Sequence, residues 1–121
     1  MSKTILVVED QEDNRRILRD LLTSKGYAII EATDGLAGVE AAKSKRIDLI
    51  LMDIQLPTID GYEATRRIKA EPETADVTII AVTSYALSGD KQKALEAGCD
   101  DYVAKPYSPR ELLAKIEQHL G

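Results

Sequence analysis

The sequence predicts an α/β fold, a doubly wound parallel sheet covered by helices on both faces. Short apolar runs alternate along the 121 residues with longer segments whose apolar residues recur at helical spacing. The runs Leu49–Met52 and Val77–Val82 are almost entirely apolar, which is typical of strands buried on both faces. No linker or low-complexity segment interrupts this alternation. We therefore expect one domain spanning residues 1–121.

Two strand–helix pairs are predicted in the first part of the chain. Ile5–Val8 is the first strand, and the helix after it has the apolar residues Ile17, Leu18, Leu21 and Leu22. Gly26 lies where a helix end favours a left-handed residue. Tyr27–Ala32 is the second strand, and Asp34 is placed to cap the second helix. The inner face of that helix is expected to use these residues or their neighbours: Leu36, Val39 and Ala42.

The third strand and helix surround a polar loop. The strand Ile47–Met52 leads directly into Asp53. Pro57 and Asp60-Gly61 mark the loop, and Pro72 lies just beyond the third helix. The inward side chains of this helix are predicted to be Tyr62, Thr65 and Ile68.

Two further strand–helix pairs complete the pattern. The strand Val77–Val82 precedes a helix at roughly residues 88–97, which has a thin apolar face of Leu87, Ala94 and Leu95. Tyr102–Ala104 is the fifth strand. The last helix begins with the capping box Ser108-Pro109-Arg110-Glu111 and carries the stripe Leu112, Leu113, Ile116 and Leu120. Five strands and five helices in alternation favour the flavodoxin-like strand order 2-1-3-4-5.

Composition excludes several classes of protein. The net charge of −5 and the lack of a Lys/Arg cluster argue against nucleic-acid binding. No apolar stretch approaches the length of about 20 residues that a membrane span needs, and the N-terminus does not resemble a signal peptide. Cys99 is the single cysteine, which we expect to be a small buried residue in a reducing compartment. We therefore expect a soluble, cytoplasmic protein, and the initial methionine favours a stand-alone chain.

Polar residues follow four of the predicted strands. Glu9 and Asp10 follow the first strand, and Asp53 follows the third. Thr83 follows the fourth strand, and Lys105 follows the fifth. In a parallel sheet these strand ends meet at one edge, where ligands of open α/β sheets bind. Each residue alone would more often be an ordinary polar strand end, but together they favour a site for a cation and a phosphoryl group.

The three carboxylates predict a magnesium site. Carboxylates crowded at a strand edge repel one another, and Mg²⁺ relieves this while binding through oxygen atoms and water. We expect Asp10 to bind the metal directly, with Glu9 nearby or acting through water, and the backbone carbonyl of Gln55 to add a further oxygen. Asp53 is the candidate nucleophile because carboxylates form acyl phosphates. Asp48 and Asp60 are interpreted as ordinary strand-start and turn residues.

Lys105 and Thr83 are expected to contact the phosphoryl group. Lys105 precedes Pro106, and a cis bond there would direct the ammonium into the site, to a phosphoryl oxygen or to Asp53. Thr83 is interpreted as a hydroxyl donor to the phosphoryl group. His119 is interpreted as a surface residue of the last helix.

These motifs together resemble the receiver domain of two-component response regulators over nearly the whole chain. The matching segments are Val8-Glu9-Asp10, Leu51-Met52-Asp53 with Leu56-Pro57 and Asp60-Gly61, Val82-Thr83-Ser84, and Tyr102-Val103-Ala104-Lys105-Pro106. Each is weak alone, whereas their order and spacing are specific. Glu9 stands where many receivers have aspartate. Gln55 and Tyr85 occupy positions that tune dephosphorylation in the family, which leaves the lifetime of the phosphate open.

The resemblance implies a phosphorylation-dependent switch of a two-component or phosphorelay system. Asp53 would accept a phosphoryl group from a sensor histidine kinase or a histidine phosphotransfer protein, with Mg²⁺ at Glu9, Asp10 and Asp53. Thr83 and Tyr102 would be the switch pair, and the face of the fourth helix, fifth strand and fifth helix would bind a downstream target. The protein would be a phosphoacceptor that promotes its own phosphotransfer and dephosphorylation, and a monomer or weak homodimer.

The sequence leaves three other interpretations of the function open. A haloacid-dehalogenase-type phosphatase also uses a strand-end aspartate, but it needs a second acid where Gln55 stands. A flavodoxin-like cofactor binder is disfavoured because the chain has no Phe or Trp and no phosphate-binding loop after the first strand. The third interpretation is a receiver whose phosphorylation no longer matters, which the complete set of acid, Thr and Lys residues disfavours.

Overall fold

The computed structural model describes residues 2–83 and 90–120, and it confirms the predicted α/β fold. Five parallel strands form one sheet in the order β2-β1-β3-β4-β5. The strands are β1 Thr4–Val8, β2 Ala28–Ala32, β3 Leu49–Asp53, β4 Thr78–Thr83 and β5 Asp101–Ala104. The helices of the described residues are α1 Glu12–Ser24, α2 Gly35–Ser44, α3 Gly61–Ala70, α4 Asp90–Ala97 and α5 Pro109–Leu120.

Two apolar cores lie on opposite faces of the sheet because successive strand side chains point to opposite sides. On one face Leu6 and Ile50 pack in a core shared with α2, α3 and α4. On the other face Leu51 lies in a core that includes Leu22 of α1 and Ile116 of α5. Every residue of β3 is buried, as its apolar sequence predicts for a central strand.

Polar caps fix where the helices begin. The Asp34 carboxylate accepts a hydrogen bond from the Ala37 amide at 2.7 Å, which confirms the predicted cap of α2. Asp60 is more than a turn residue, since its carboxylate accepts from the Glu63 amide at 2.8 Å and caps α3. Asp48 likewise has a specific contact, because its carboxylate accepts from the Thr4 amide at 2.7 Å.

The Ser108 hydroxyl accepts from the Glu111 amide at 3.0 Å, and Pro109 is the first residue of α5. This agrees with the N-terminus that the sequence predicts for the last helix. Leu112 and Ile116 are its buried residues, and the other two members of the stripe, Leu113 and Leu120, are partly buried.

In three helices, one of the apolar side chains noted in the sequence is exposed to solvent. Leu36 is 47% exposed, because the face of α2 that packs against the sheet is formed by its buried residues Gly35, Gly38, Val39 and Ala42. A Cβ atom on Gly38 would lie 3.0 Å from a methyl carbon of Val8. Ile17 of α1 and Leu95 of α4 are also exposed, by 61% and 47%. Leu87 and Ser88, which the sequence placed near the start of α4, lie outside the described residues.

Among the helices of the described residues, none combines the length and apolar character that crossing a membrane requires.

Close backbone packing at Gly61 holds the loop after β3 against the end of that strand. The Gly61 amide donates to the Ile54 carbonyl at 2.8 Å. A Cβ atom at Gly61 would collide with the Asp53 carbonyl oxygen and lie 2.7 Å from the Ile54 Cα. Gly61→Ala should therefore reduce the free energy of unfolding by about 3 kcal/mol, since backbone atoms would have to move.

Gly26→Ala is the matched comparison. Gly26 has a φ of +89° but open space around its Cα, so the cost is conformational only, about 1 kcal/mol. Urea unfolding followed by circular dichroism measures both values. A loss at Gly61 no larger than the loss at Gly26 would contradict the steric explanation.

Candidate functional site

The carboxyl ends of four strands bring the predicted site residues to one edge of the sheet. Glu9 and Asp10 follow β1, and Asp53 is the last residue of β3. Thr83 is the last residue of β4, and Lys105 comes directly after β5. One ligand oxygen from each of the three carboxylates lies within 4.8 Å of the other two. A cleft of about 470 Å³ opens at this edge, lined by Asp10, Gln55, Pro57, Asp60, Tyr62 and Thr83 among others.

Asp53 is almost completely buried, with 6% of its surface exposed. One carboxylate oxygen accepts from the Gln55 amide at 3.2 Å, and the other faces the Lys105 ammonium at 3.4 Å. Burial and then the negative charge of Glu9 raise the pKa of Asp53 to about 6, against the opposing effect of Lys105. The fold therefore holds this carboxylate where its charge is poorly compensated.

Glu9 has more partners than Asp53. Its Oε2 accepts from the Gln11 amide at 3.0 Å, and its Oε1 accepts from Lys105 Nζ at 3.1 Å. Burial works to raise the pKa of Glu9, but the Gln11 amide and Lys105 outweigh it, so the pKa lies below its ordinary value. Asp10 is exposed, and its pKa is raised by desolvation and by the neighbouring Glu9.

Lys105 is shared between two carboxylates, and its ammonium lies closer to Glu9 than to Asp53. The sequence pointed only to Asp53 as its carboxylate partner. Burial works to lower the pKa of Lys105, but Asp53 and Glu9 raise it overall, so the side chain stays protonated. The Lys105–Pro106 peptide bond is cis, and the Lys105 amide donates to the Thr83 carbonyl at 2.6 Å.

The remaining predicted residues lie around this centre. Thr83 is 2% exposed and borders the cleft, and Tyr102 is half-buried beside the core that includes α4. The Gln55 side chain is exposed, while its amide holds Asp53. The structure thus brings together Glu9, Asp10, Asp53, Lys105, Thr83 and the Gln55 backbone, with Tyr102 on the neighbouring strand.

Two residues of α1 that contact Glu9 were missed by the sequence analysis. Asn14 Nδ2 donates to Glu9 Oε1 at 3.3 Å, and Arg15 Nη1 donates to the Glu9 carbonyl oxygen at 2.9 Å. A predicted helix beginning just after Asp10 would have indicated that its first turn faces this strand end. The composition of α1 alone gave no such signal.

Two further residues lie away from the site. Cys99 is buried, as predicted, with its sulfur 3.7 Å from the Thr65 hydroxyl. His119 is less exposed than expected of a surface residue, since its Nε2 lies 3.0 Å from an Asp101 oxygen, and Lys115 contacts the other oxygen of Asp101 at 3.1 Å.

The donor set fits a hard divalent cation. It offers oxygen atoms only, and the pKa values of Asp10 and Asp53 are raised by burial and like charge. A cation at this edge would relieve that repulsion, and Mg²⁺ accepts such ligands while keeping several waters. Carboxylates, a buried hydroxyl and a lysine at one cleft also suit a phosphoryl group.

Comparison with known proteins identifies the family that the sequence motifs resemble. The family model of the response regulator receiver domain matches residues 5–117. The chain is 40% identical over 121 residues to the polar-differentiation response regulator DivK of Brucella anthropi, covering 100% of this chain and 98% of that protein.

Two solved structures are similar in both fold and sequence. The receiver domain of the sensor histidine kinase PA1611 from Pseudomonas aeruginosa PAO1 has a magnesium ion in its active-site cleft. It superposes with a TM-score of 0.91 at 41% identity, covering 98% of each chain. The receiver domain of Ssk1 from Saccharomyces cerevisiae, crystallised with the histidine phosphotransfer protein Ypd1, gives a TM-score of 0.89 at 33% identity, covering 98% of this chain and 88% of the other. The chain therefore belongs to the family of response regulator receiver domains of two-component signalling.

Proposed function

We propose that this receiver domain is a signalling switch that is phosphorylated on Asp53. The observation that carries the proposal is the convergence of Asp53, two further carboxylates and Lys105 at one strand edge. A carboxylate oxygen of Asp53 forms the new P–O bond while the P–N bond of a phosphohistidine breaks. The electron pair of the broken bond stays on the imidazole nitrogen of the donor.

The surrounding side chains stabilise the charge of the transferred group. Lys105 is protonated and close enough to Asp53 to pair with a phosphoryl oxygen. The Thr83 hydroxyl is the donor for a second phosphoryl oxygen. Mg²⁺ held by Glu9, Asp10, Asp53 and the Gln55 carbonyl would neutralise charge on the phosphoryl oxygens. Support comes from the oxygen-only cluster and from the magnesium ion in the PA1611 receiver.

The phosphodonor is a sensor histidine kinase or a histidine phosphotransfer protein. The similar Ssk1 receiver was crystallised with such a phosphotransfer protein. An apolar groove of about 500 Å³ lies between α1 and the segment after β5, and its lining includes Lys105. Ile17 also lines it and is 61% exposed, so a helical partner could dock there with its histidine near Asp53.

Phosphorylation changes the surface through Thr83 and Tyr102. Thr83 gains a charge-assisted hydrogen bond only when Asp53 carries a phosphoryl group, so it favours one of two conformations. Tyr102 responds by turning inward. The face of α4, β5 and α5 then binds a downstream target protein in the cytoplasm, and the domain works as a monomer or weak homodimer.

Asp53→Asn should abolish phosphorylation by acetyl phosphate in the presence of Mg²⁺, because an amide cannot form an acyl phosphate. Intact-mass spectrometry should show one added phosphoryl group on wild type and none on the variant. Asp76→Asn, at an exposed position away from the cleft, is the matched control and should be labelled like wild type. Equal labelling of Asp53→Asn would overturn the assignment of the phosphoacceptor.

The same substitution should stabilise the metal-free protein at pH 7. Folding raises the pKa of Asp53 from 3.8 to about 6. The stability that Asp53 contributes to the folded state is therefore fully present below about pH 4 and is lost as the pH rises through 6. Removing the charge should add about 2 kcal/mol to the free energy of unfolding at pH 7.

Urea unfolding in excess EDTA at pH 7 and near pH 4 measures this difference, which should shrink at the lower pH. Asp76→Asn should change the free energy of unfolding by less than about 0.5 kcal/mol. An Asp53→Asn protein less stable than wild type at pH 7 would show that the carboxylate is well compensated.

Thr83→Ala should leave phosphorylation of Asp53 largely intact but weaken its conformational effect. The lost hydrogen bond to a charged group is worth about 1.5–3 kcal/mol, enough to shift a two-state equilibrium about tenfold or more. NMR shift changes at Tyr102, α4 and α5 on phosphorylation report the effect. Thr78→Ala, at the opposite end of β4, is the control. The full wild-type pattern in Thr83→Ala at equal phosphate occupancy would disprove this switch.

A further inference from the structure

Glu9 is held in place mainly from the start of α1. Its Oε2 accepts from the backbone amide of Gln11, the N-cap residue of α1, at 3.0 Å. Its Oε1 accepts from Asn14 at 3.3 Å, and its backbone carbonyl accepts from Arg15 at 2.9 Å. From elsewhere in the fold, Lys105 Nζ lies 3.1 Å from Oε1, and the Glu9 amide donates to the Ala32 carbonyl at 3.0 Å.

These donors leave little acceptor capacity on the Glu9 carboxylate. An ionised carboxylate has about four lone-pair directions. Among the residues that the structure describes, the Gln11 amide, Asn14 and Lys105 occupy three of these directions, which leaves one. The carboxylate is planar, so the other three contacts fix the direction in which its last lone pair can accept. Glu9 is 3% exposed, so the side chain has little room to turn.

Asn14 differs from the other two donors. The Gln11 donor is a backbone amide fixed by the start of the helix, and Lys105 is shared with Asp53. The Asn14 side chain is neutral and half-buried, and within the described parts of the chain its hydrogen bond goes to Glu9 alone. Asn14 is therefore the neutral side chain of α1 that helps to orient the Glu9 carboxylate.

We propose that Asn14 is a positioning residue of the phosphotransfer site, which keeps a Glu9 oxygen in the cluster with Asp10 and Asp53. The inference rests on the proposed function, because it requires that this cluster bind Mg²⁺. Hydrogen-bond partners of metal-ligating groups commonly affect metal affinity by about tenfold or more. Asn14 would act on the metal site through Glu9 and without touching the metal or the phosphoryl group.

The test is calorimetric titration of the full chain with MgCl₂ alone. Asn14→Ala should weaken Mg²⁺ binding by about tenfold, at the lower end of the range for such partners. Alanine favours the helix, so α1 should stay folded, which circular dichroism checks. Thr23→Ala is the matched control: it removes an exposed, neutral side chain near the far end of α1, whose hydroxyl donates to the Arg19 carbonyl of the same helix, and it should leave the affinity unchanged.

A double-mutant cycle with Glu9→Gln tests the route of the effect. If Asn14 acts through the Glu9 carboxylate, adding Asn14→Ala to Glu9→Gln should weaken binding by less than about twofold. A tenfold effect in both backgrounds would overturn the inference, since Asn14 would then act elsewhere.

Asp10→Asn separates this inference from the proposed function. Weaker binding in Asp10→Asn, together with wild-type affinity in Asn14→Ala, would overturn only the role of Asn14. Unchanged affinity in Asp10→Asn would instead overturn the proposed metal site, and the role of Asn14 with it.

Discussion

The crowding of three carboxylates at one strand edge is the constraint on which the site depends. Glu9 and Asp53 are buried, and burial of like charges is unfavourable unless cations or hydrogen-bond donors compensate. Lys105 supplies one positive charge to both, the backbone amides of Gln11 and Gln55 donate hydrogen bonds, and the Asn14 side chain donates a further one to Glu9. The compensation is unequal, because the pKa of Glu9 is lowered whereas that of Asp53 is raised. The less stabilised carboxylate is thus Asp53, the residue proposed to accept the phosphoryl group.

A few close contacts between elements of the fold hold the three carboxylates near one another. The loop after Asp53 lies against the end of β3 because Gly61 has no side chain, and α2 lies close to β1 because Gly38 faces Val8. On the opposite side the start of α1 supplies donors to Glu9. The site is therefore held from both faces of the sheet.

The polar contacts of α1 connect the site with the apolar groove that is proposed to receive the phosphodonor. Asn14 contacts Glu9 and also lines the apolar groove beside Lys105. Arg15 holds the Glu9 carbonyl and lies 3.5 Å from Glu31 at the end of β2, which Arg19 also contacts. In the proposed function the docking groove and the site therefore share α1, so a phosphodonor bound there would contact Asn14, which also holds Glu9.

The sequence by itself determined the fold class, the strand order and the set of residues at the strand ends. Apolar runs, helical patterns, caps such as Asp34 and the polar residues after apolar strands are local signals, and the carboxyl ends of parallel strands meet at one edge of the sheet. The receiver family followed from five such motifs in order. The spacing of apolar residues predicted the buried faces of helices less reliably, since Leu36 and Leu95 are exposed.

Only the tertiary structure decided how the charges pair. That Lys105 lies closer to Glu9 than to Asp53, and that Asn14 and Arg15 hold Glu9, depends on packing between elements distant in sequence. The same holds for α2, where Val39 and Ala42 are buried but Leu36 is exposed. The spacing of side chains along one helix or strand indicates which of them share a face. Distances across the sheet and between helices determine which groups contact one another there.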